Sequence, residues 1–222
     1  MGVVVAMDGP SGSGKSSTSR GVATRLGLRY LDTGAMYRAL TWWMLEHDVD
    51  VDDPKAVAGN VDRPVLVSGT DPQAPTITVD GTDVSGPIRE AAVTSAVSVV
   101  SAVPRVRERL VREQRDIIGD GGIVVEGRDI GTTVAPGAEV KVFLTADPQA
   151  RAVRRAAEQS GADVTATQHD LLRRDRIDSG RTASPLAMAP DARHIDTTPY
   201  TLDEVVAQVV DLVQAAQQPA RP

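Results

Sequence analysis

The chain has 222 residues, 41% of them hydrophobic and only 3% aromatic, with a formal net charge of −6 and no cysteine. That length supports one compact domain with an insertion or two around an aliphatic core. The composition excludes disorder, disulfides and cysteine-based metal or nucleophile chemistry, and the acidic balance argues against a protein that coats nucleic acid.

Val3–Met7 is a short, mostly β-branched run closed by Asp8-Gly9-Pro10, the pattern of a buried strand. It has no basic flank and is too short for a signal peptide or a membrane span, so a cytoplasmic protein without a membrane partner is expected. Lys15–Leu26 has no breaker except Gly21 and stops at Gly27, as a helix with a glycine cap does. Leu28–Leu31 predicts a second strand, and Asp32-Thr33 an N-cap for a helix to about Leu45. From Val61 to Gly86 the texture changes to prolines, glycines and alternating residues (PVLVSG, PTITVDG, TDVSG). This predicts a small inserted antiparallel β-meander.

Helical patterning returns over Glu90–Ala102, and Pro104 opens another helix to Ile118. Gly122–Glu126 and Val140–Leu144 read as buried strands. Asp147-Pro148 starts a helix that leads into an arginine-rich stretch, 151–181. His194–Asp196 reads as a last short strand and Leu202–Ala216 as an amphipathic closing helix, with the tail QQPARP frayed. Strands alternating with helices around one β insert predict an α/β fold with a parallel sheet flanked by helices.

Between the first strand and the first helix, Gly9-Pro10-Ser11-Gly12-Ser13-Gly14-Lys15-Ser16 fits G-x-x-x-x-G-K-[ST]. Glycines permit the backbone dihedrals that turn successive N–H groups inward around an anion, and the helix adds its N-terminal partial charge. Lys15 should reach the β- and γ-phosphates, and the Ser16 hydroxyl should bind Mg²⁺. The pattern arises by chance on the order of once per hundred chains of this length, but here it also has the strand-loop-helix context. Gly9, Ser11, Gly12, Ser13, Gly14, Lys15, Ser16 and Ser17 are therefore the expected ATP-binding residues.

Three classes of phosphate-loop protein compete: a GTPase switch, a mechanical or non-catalytic ATPase module, and a small-molecule kinase. The only asparagine is Asn60, and none of Lys15, Lys55 and Lys141 has the neighbours of a guanine-reading loop. A mechanical ATPase usually brings extra domains, and this chain is short. A kinase needs a second anionic site and a way to keep water from the γ-phosphate.

The segments DGPSGSGKSS, LDTGAMYR, GTDVSGPIR, PRVR, EGRDIGT and RRDRIDSGR stand here in that order. Together they are similar to the bacterial cytidylate kinases, a branch of the nucleoside-monophosphate kinases, and the resemblance runs from about Val3 to the final helix. It implies transfer of the γ-phosphoryl of ATP to CMP or dCMP, with Mg²⁺, by an enzyme expected to be a monomer. Other small kinases (uridylate, adenylate or shikimate type) and a nucleotide-binding module without turnover remain the alternatives. The implied organisation is a core at 1–33, a monophosphate-binding region at 34–103 with its β insert at about 61–86, core at 104–147, a helical lid at 148–184, and core at 185–222. Where relatives carry serine in DSGAIYR and aspartate in ADGRD, this chain has Thr33 and Glu126, which keep the hydroxyl and the carboxylate.

The resemblance also assigns residues. Thr33, Tyr37, Arg38, Ser98, Arg107, Arg128, Asp129, Arg174, Asp178 and Arg181 are the implied substrate-binding set, and Lys15, Arg128 and Arg181 the implied catalytic one. Arg38 and Arg128 would hold the acceptor phosphate. Ser98, Arg107 and Asp129 would surround the cytosine, which Tyr37 would line, while Arg174 and Asp178 would hold the ribose. Arg181 would meet the phosphates. From position alone, Arg38 and Arg107 read equally as surface charges and Tyr37 as packing. The stretch 151–181 holds seven arginines and five acidic residues, and by itself reads as a salt-bridged surface helix pair. Glu126 resembles a Walker-B acid that orients a Mg²⁺-bound water. Arg151 and Arg155 are candidates for ATP, and the loop Asp196–Tyr200 for the adenine. His47, His169 and His194 have no metal spacing and read as structural.

Overall fold

A computed structural model describes residues 2–158, 162–181 and 185–218. Val4–Asp8 forms the central strand, β1, and leads through the phosphate loop into helix α1 (Lys15–Leu26). Gly27, with φ 65°, closes α1 and returns two backbone hydrogen bonds to Ala23 and Thr24. Strand β2 (Arg29–Asp32) runs directly into α2 (Thr33–Glu46), whose first turn is capped by the Asp32 carboxylate accepting from Ala35 N–H at 3.0 Å. A short helix, α3 (Pro54–Asn60), follows.

The insert holds β3 (Leu66–Ser68), β4 (Ile77–Val79) and β5 (Thr82–Asp83), an antiparallel sheet in sequence order, ending in a 3₁₀ turn at Pro87–Arg89. Helices α4 (Ala91–Val100) and α5 (Pro104–Ile118) precede β6 (Ile123–Glu126), after which Ile130–Val134 makes a single π-helical turn. The rest is β7 (Val140–Thr145), α6 (Pro148–Glu158), α7 (Val164–Ser179), β8 (Arg193–Asp196) and α8 (Leu202–Gln217). Residues 219–222 of the tail expected to fray lie outside the described residues. Among those described, no helix is long and apolar enough to cross a membrane.

The main sheet has the order β2-β6-β1-β7-β8, and all its pairs are parallel. Period-2 alternation sends its side chains to two cores. Val5 and Met7 of β1, Tyr30, Val124, Val142 and Leu144 face α1 and α8, where Val22, Val206 and Val209 cover them. Ala6, Leu31, Ile123 and Val125 face the opposite side, against Met36, Leu40, Met44 and Leu110 of α2 and α5. Because both faces are covered, these strands read as continuous apolar runs. Ile77 and Val79 of the insert join the second core beside Trp43, which anchors the small sheet to α2.

Gly21 has a packing reason to interrupt α1. A Cβ there would lie 2.7 Å from Val206 Cγ2 on α8. Gly21→Ala is therefore expected to lower stability by about 1–3 kcal/mol through overpacking. At an exposed helical site the same change adds about 1 kcal/mol. Urea unfolding distinguishes the two, and a more stable variant would mean that α8 yields at no cost.

Candidate active site

Open α/β sheets bind ligands beyond the carboxyl ends of their strands. Three of the sequence segments emerge there from adjacent strands: the phosphate loop after β1, Gly127-Arg128-Asp129 after β6 and Asp32-Thr33 after β2. Gly9 at φ 145° and Gly14 at φ 85° hold conformations that favour glycine, and a Cβ on Gly9 would meet the Leu144 carbonyl oxygen at 2.0 Å. Lys15 is buried and folds back on its own loop, donating from Nζ to the Pro10 carbonyl at 2.7 Å. Burial pushes its pKa down, and Arg128 adds to this; Glu126, Asp8 and Asp175 pull it back up.

Helices α6 and α7 touch the loop directly. Arg151 Nη1 donates to the Ser11 carbonyl at 3.1 Å and pairs with Asp175 at 2.5 Å, while Ser11 N–H points to Asp175 at 3.4 Å. On the outer side of the loop, Gly12, Ser13, Gly14 and Ser17 share a crevice with Arg154, Thr197, Tyr200 and Leu202. Arg154 is fixed there by two bonds to Thr197, at 2.8 and 2.9 Å. Thr197 and Tyr200 belong to the loop expected near the adenine.

On the inner side lies a cavity lined by every residue of the implied substrate-binding set: Thr33, Tyr37, Arg38, Ser98, Arg107, Arg128, Asp129, Arg174, Asp178 and Arg181. Arg155 lines it too, beside Arg38 and Arg174, whereas Arg151 lies at the phosphate loop. Arg38 Nη1 donates to the Ile88 carbonyl at 3.1 Å and to the Thr94 hydroxyl at 2.9 Å. The Arg107 guanidinium pairs with the Asp129 carboxylate and lies 5.6 Å from the Tyr37 ring centroid, a cation–π contact. Asp178 accepts from Arg128 Nε at 3.1 Å on one oxygen and from Arg181 on the other. Arg174 and Asp178 are both buried on one face of α7.

Electrostatics identify what this cavity wants. Seven guanidiniums line it (Arg38, Arg89, Arg107, Arg128, Arg155, Arg174, Arg181) against the carboxylates of Asp32, Asp129 and Asp178. Burial, then Arg174 and Arg155, bring Arg38 down to about 9; burial, then Arg128, bring Arg174 down to about 10. Both remain charged at neutral pH. A phosphate dianion would relieve this repulsion and supply acceptors.

The Thr33 hydroxyl donates to the Glu126 carbonyl at 2.7 Å, so its lone pairs are what it offers a ligand. Glu126 is buried and its pKa is raised, first by desolvation and then by Asp32. One of its oxygens accepts from the Tyr30 hydroxyl at 2.6 Å; the other has no hydrogen-bond partner among the described residues, and the Ser16 hydroxyl stands beside the carboxyl. An unpartnered carboxylate oxygen next to a hydroxyl, at the phosphate loop, is a donor set that fits Mg²⁺ with its retained waters. Among the described residues no group of three or more His, Asp or Glu side chains forms a metal cage. His47 stacks on Trp43, His194 bonds Thr145, and none of the three histidines lines either cavity.

Sequence reasoning passed over Thr94, Ser101, Asp32 and Arg154 as site residues. Thr94, Val97, Ser98 and Ser101 form one stripe of α4 and its end: Thr94 bonds Arg38, and the other three line the cavity. The i, i+4, i+7 spacing of those hydroxyls, in a helix otherwise made of Ala, Val and the exposed Ser95, was a signal available in the sequence.

The model of the family described as cytidylate kinase matches residues 5–215. A protein of Streptomyces griseus named cytidylate kinase is 61% identical over 214 residues, covering 96% of this chain and 93% of that one. One of Nocardia farcinica with the same name is 54% identical, covering 97% and 94%. Among solved structures, an uncharacterized protein from Eubacterium ventriosum superimposes with a TM-score of 0.54 at 11% identity, covering 97% of this chain and 99% of the other; this likeness concerns the fold alone.

Proposed function

Since the chain belongs to the cytidylate kinase family, we propose that it transfers the γ-phosphoryl group of ATP to CMP or dCMP across the gap between the phosphate loop and the arginine-lined cavity. The products are ADP and CDP or dCDP. The observation that carries this reading is the cavity wall, where seven guanidiniums face an anion site next to the nucleotide-binding loop.

Phosphoryl transfer asks mainly for positioning and charge neutralisation. Gly9, Ser11, Gly12, Ser13, Gly14, Lys15, Ser16 and Ser17 wrap the donor triphosphate, with Lys15 leaving the Pro10 carbonyl for the β- and γ-phosphates. Arg38 and Arg128 hold the acceptor phosphate so that one of its oxygens lies in line with the γ-phosphorus. Arg181 turns from Asp178 to the transferring group, where the charge it meets is greatest in the transition state. Asp129, Arg107 and Ser98 read the cytosine against the Tyr37 ring and Thr33, and Asp178 with Arg174 takes the ribose hydroxyls. Ser16, with Glu126 through water, would hold Mg²⁺. Bound there, the ion would supply positive charge to offset that of the triphosphate.

In this reading 148–184, of which 159–161 and 182–184 lie outside the described residues, is the lid over a core of 1–33, 104–147 and 185–222, and 34–103 is the acceptor-binding region. Arg128 and Arg181 are held by Asp178 on α7, and Arg155 and Arg174 repel Arg38. Closure should therefore depend on bound phosphates. Hydrogen exchange across 151–181 is expected to slow when ATP and CMP analogues bind together. Equal protection in the free protein would leave a static surface in place of a lid. The reaction itself is tested by ³¹P NMR of an ATP–CMP mixture with the protein: CDP and ADP should appear in equal amounts, and ADP with free phosphate would mark an ATPase.

A further inference from the structure

Asp8, the last residue of β1, has no role in the assignments above, yet it is buried, at 4% exposure, at the root of the phosphate loop. Its two carboxylate oxygens accept separately from the backbone N–H groups of Ile130 and Gly131, each at 2.8 Å. One residue earlier, the Met7 carbonyl accepts from Gly127 N–H at 3.0 Å. The turn 127–131 is thus tied at both ends to the end of β1, and Arg128 and Asp129 project between the ties. The same carboxylate directly precedes Gly9, the first residue of the phosphate loop.

We propose that Asp8 is a positioning residue for base selection, fixing the turn that carries Asp129 to the root of the phosphate loop. Two charge-assisted bonds to consecutive N–H groups define the turn's height and tilt more tightly than one would. Burial lifts the Asp8 carboxyl to about 6, so at neutral pH it is ionised and accepts from both donors. Gly131 fits this approach closely, since a Cβ there would lie 3.4 Å from Asp8 Oδ2 and 3.2 Å from Lys141 Cδ. The proposal rests on the reading of Asp129 as the group that recognises cytosine.

Asp8→Asn keeps the volume but sets an amide NH₂ against one of the two N–H donors, so the turn should lose one tie. The expected result is a fall of about tenfold in kcat/KM for CMP, the loss of one hydrogen bond to a charged group. The KM for ATP should stay within about twofold of wild type and UMP should lose much less than CMP, because Arg38 lies on α2 and Arg128 follows the Gly127 tie, which the variant leaves intact. Amide exchange at Ile130 and Gly131 should quicken while that of β6 is unchanged. Equal losses for CMP and UMP, or a large rise in the KM for ATP, would overturn the proposal by making Asp8 a support of the phosphate loop. A readout that needs no variant guards against misfolding: in the wild type the two amides should exchange at least about a hundredfold more slowly than in an unfolded chain. Exchange at the unfolded rate would overturn the clamp outright. A wild-type enzyme with no preference for CMP over UMP would instead count against the reading of Asp129, and the amide measurement would still decide the role of Asp8.

Discussion

Lys15→Ala should lower turnover roughly 10²–10³-fold, the cost of removing one preorganised donor to the developing charge. The fold should survive. Lys15 is buried, but among the described residues its side chain makes one hydrogen bond, to Pro10 of its own loop, and its ammonium is held against its preference for water. Removing this buried charge relieves its desolvation and its repulsion with Arg128 but takes a favourable charge from Glu126, Asp8 and Asp175, so the ligand-free melting temperature should change little. Stabilisation by saturating ATP should shrink, because that gain reports binding to the native state alone. The measurements are single-turnover rates and thermal melts with and without ATP. A folded variant with near-normal turnover would remove the phosphate loop from the mechanism.

Asp129→Ala should cost CMP about 2–3 kcal/mol in kcat/KM, a charged hydrogen bond's worth, and leave UMP little changed or improved. Cytosine presents an amino donor where uracil presents a carbonyl acceptor, and a buried carboxylate accepts from the first and repels the second. The structure adds a second consequence: Asp129 pairs with buried Arg107, which the variant would leave without its carboxylate. A thermal melt should accompany the kinetics for that reason. Arg38→Ala should weaken both acceptors alike, since a phosphate contact carries no base information. Equal losses for CMP and UMP in Asp129→Ala would place cytosine recognition elsewhere.

Much of this was legible in the sequence because its signals are local. Asp8-Gly9-Pro10 closes β1, Gly27 caps α1, and Asp32 caps α2 through a contact three residues away. The α/β class and the parallel sheet followed from apolar runs that had to be buried on both faces. Helix α3 went unread because it buries only Val57, too little for a period, although Asp53-Pro54 is a helix-start signal and Asp53 does cap it. The π-helical turn at Ile130–Val134 could not be read locally, because its first N–H groups are satisfied by Asp8, more than a hundred residues away. Arg154 and Arg155 were equally hard to separate. They are neighbours on α6, yet one lines the crevice on the outer side of the phosphate loop and the other the arginine-lined cavity, a division set by where α6 packs.

The most direct test of the account is acceptor preference in a coupled ADP-release assay, run with CMP, dCMP, UMP, AMP and shikimate at fixed ATP and Mg²⁺. A cavity that reads an amino-bearing pyrimidine by hydrogen bonds and holds its phosphate with Arg38 and Arg128 should show kcat/KM for CMP or dCMP at least roughly 10²-fold above every other acceptor. ADP release that proceeds as fast without an acceptor, or that favours UMP, AMP or shikimate, would contradict it.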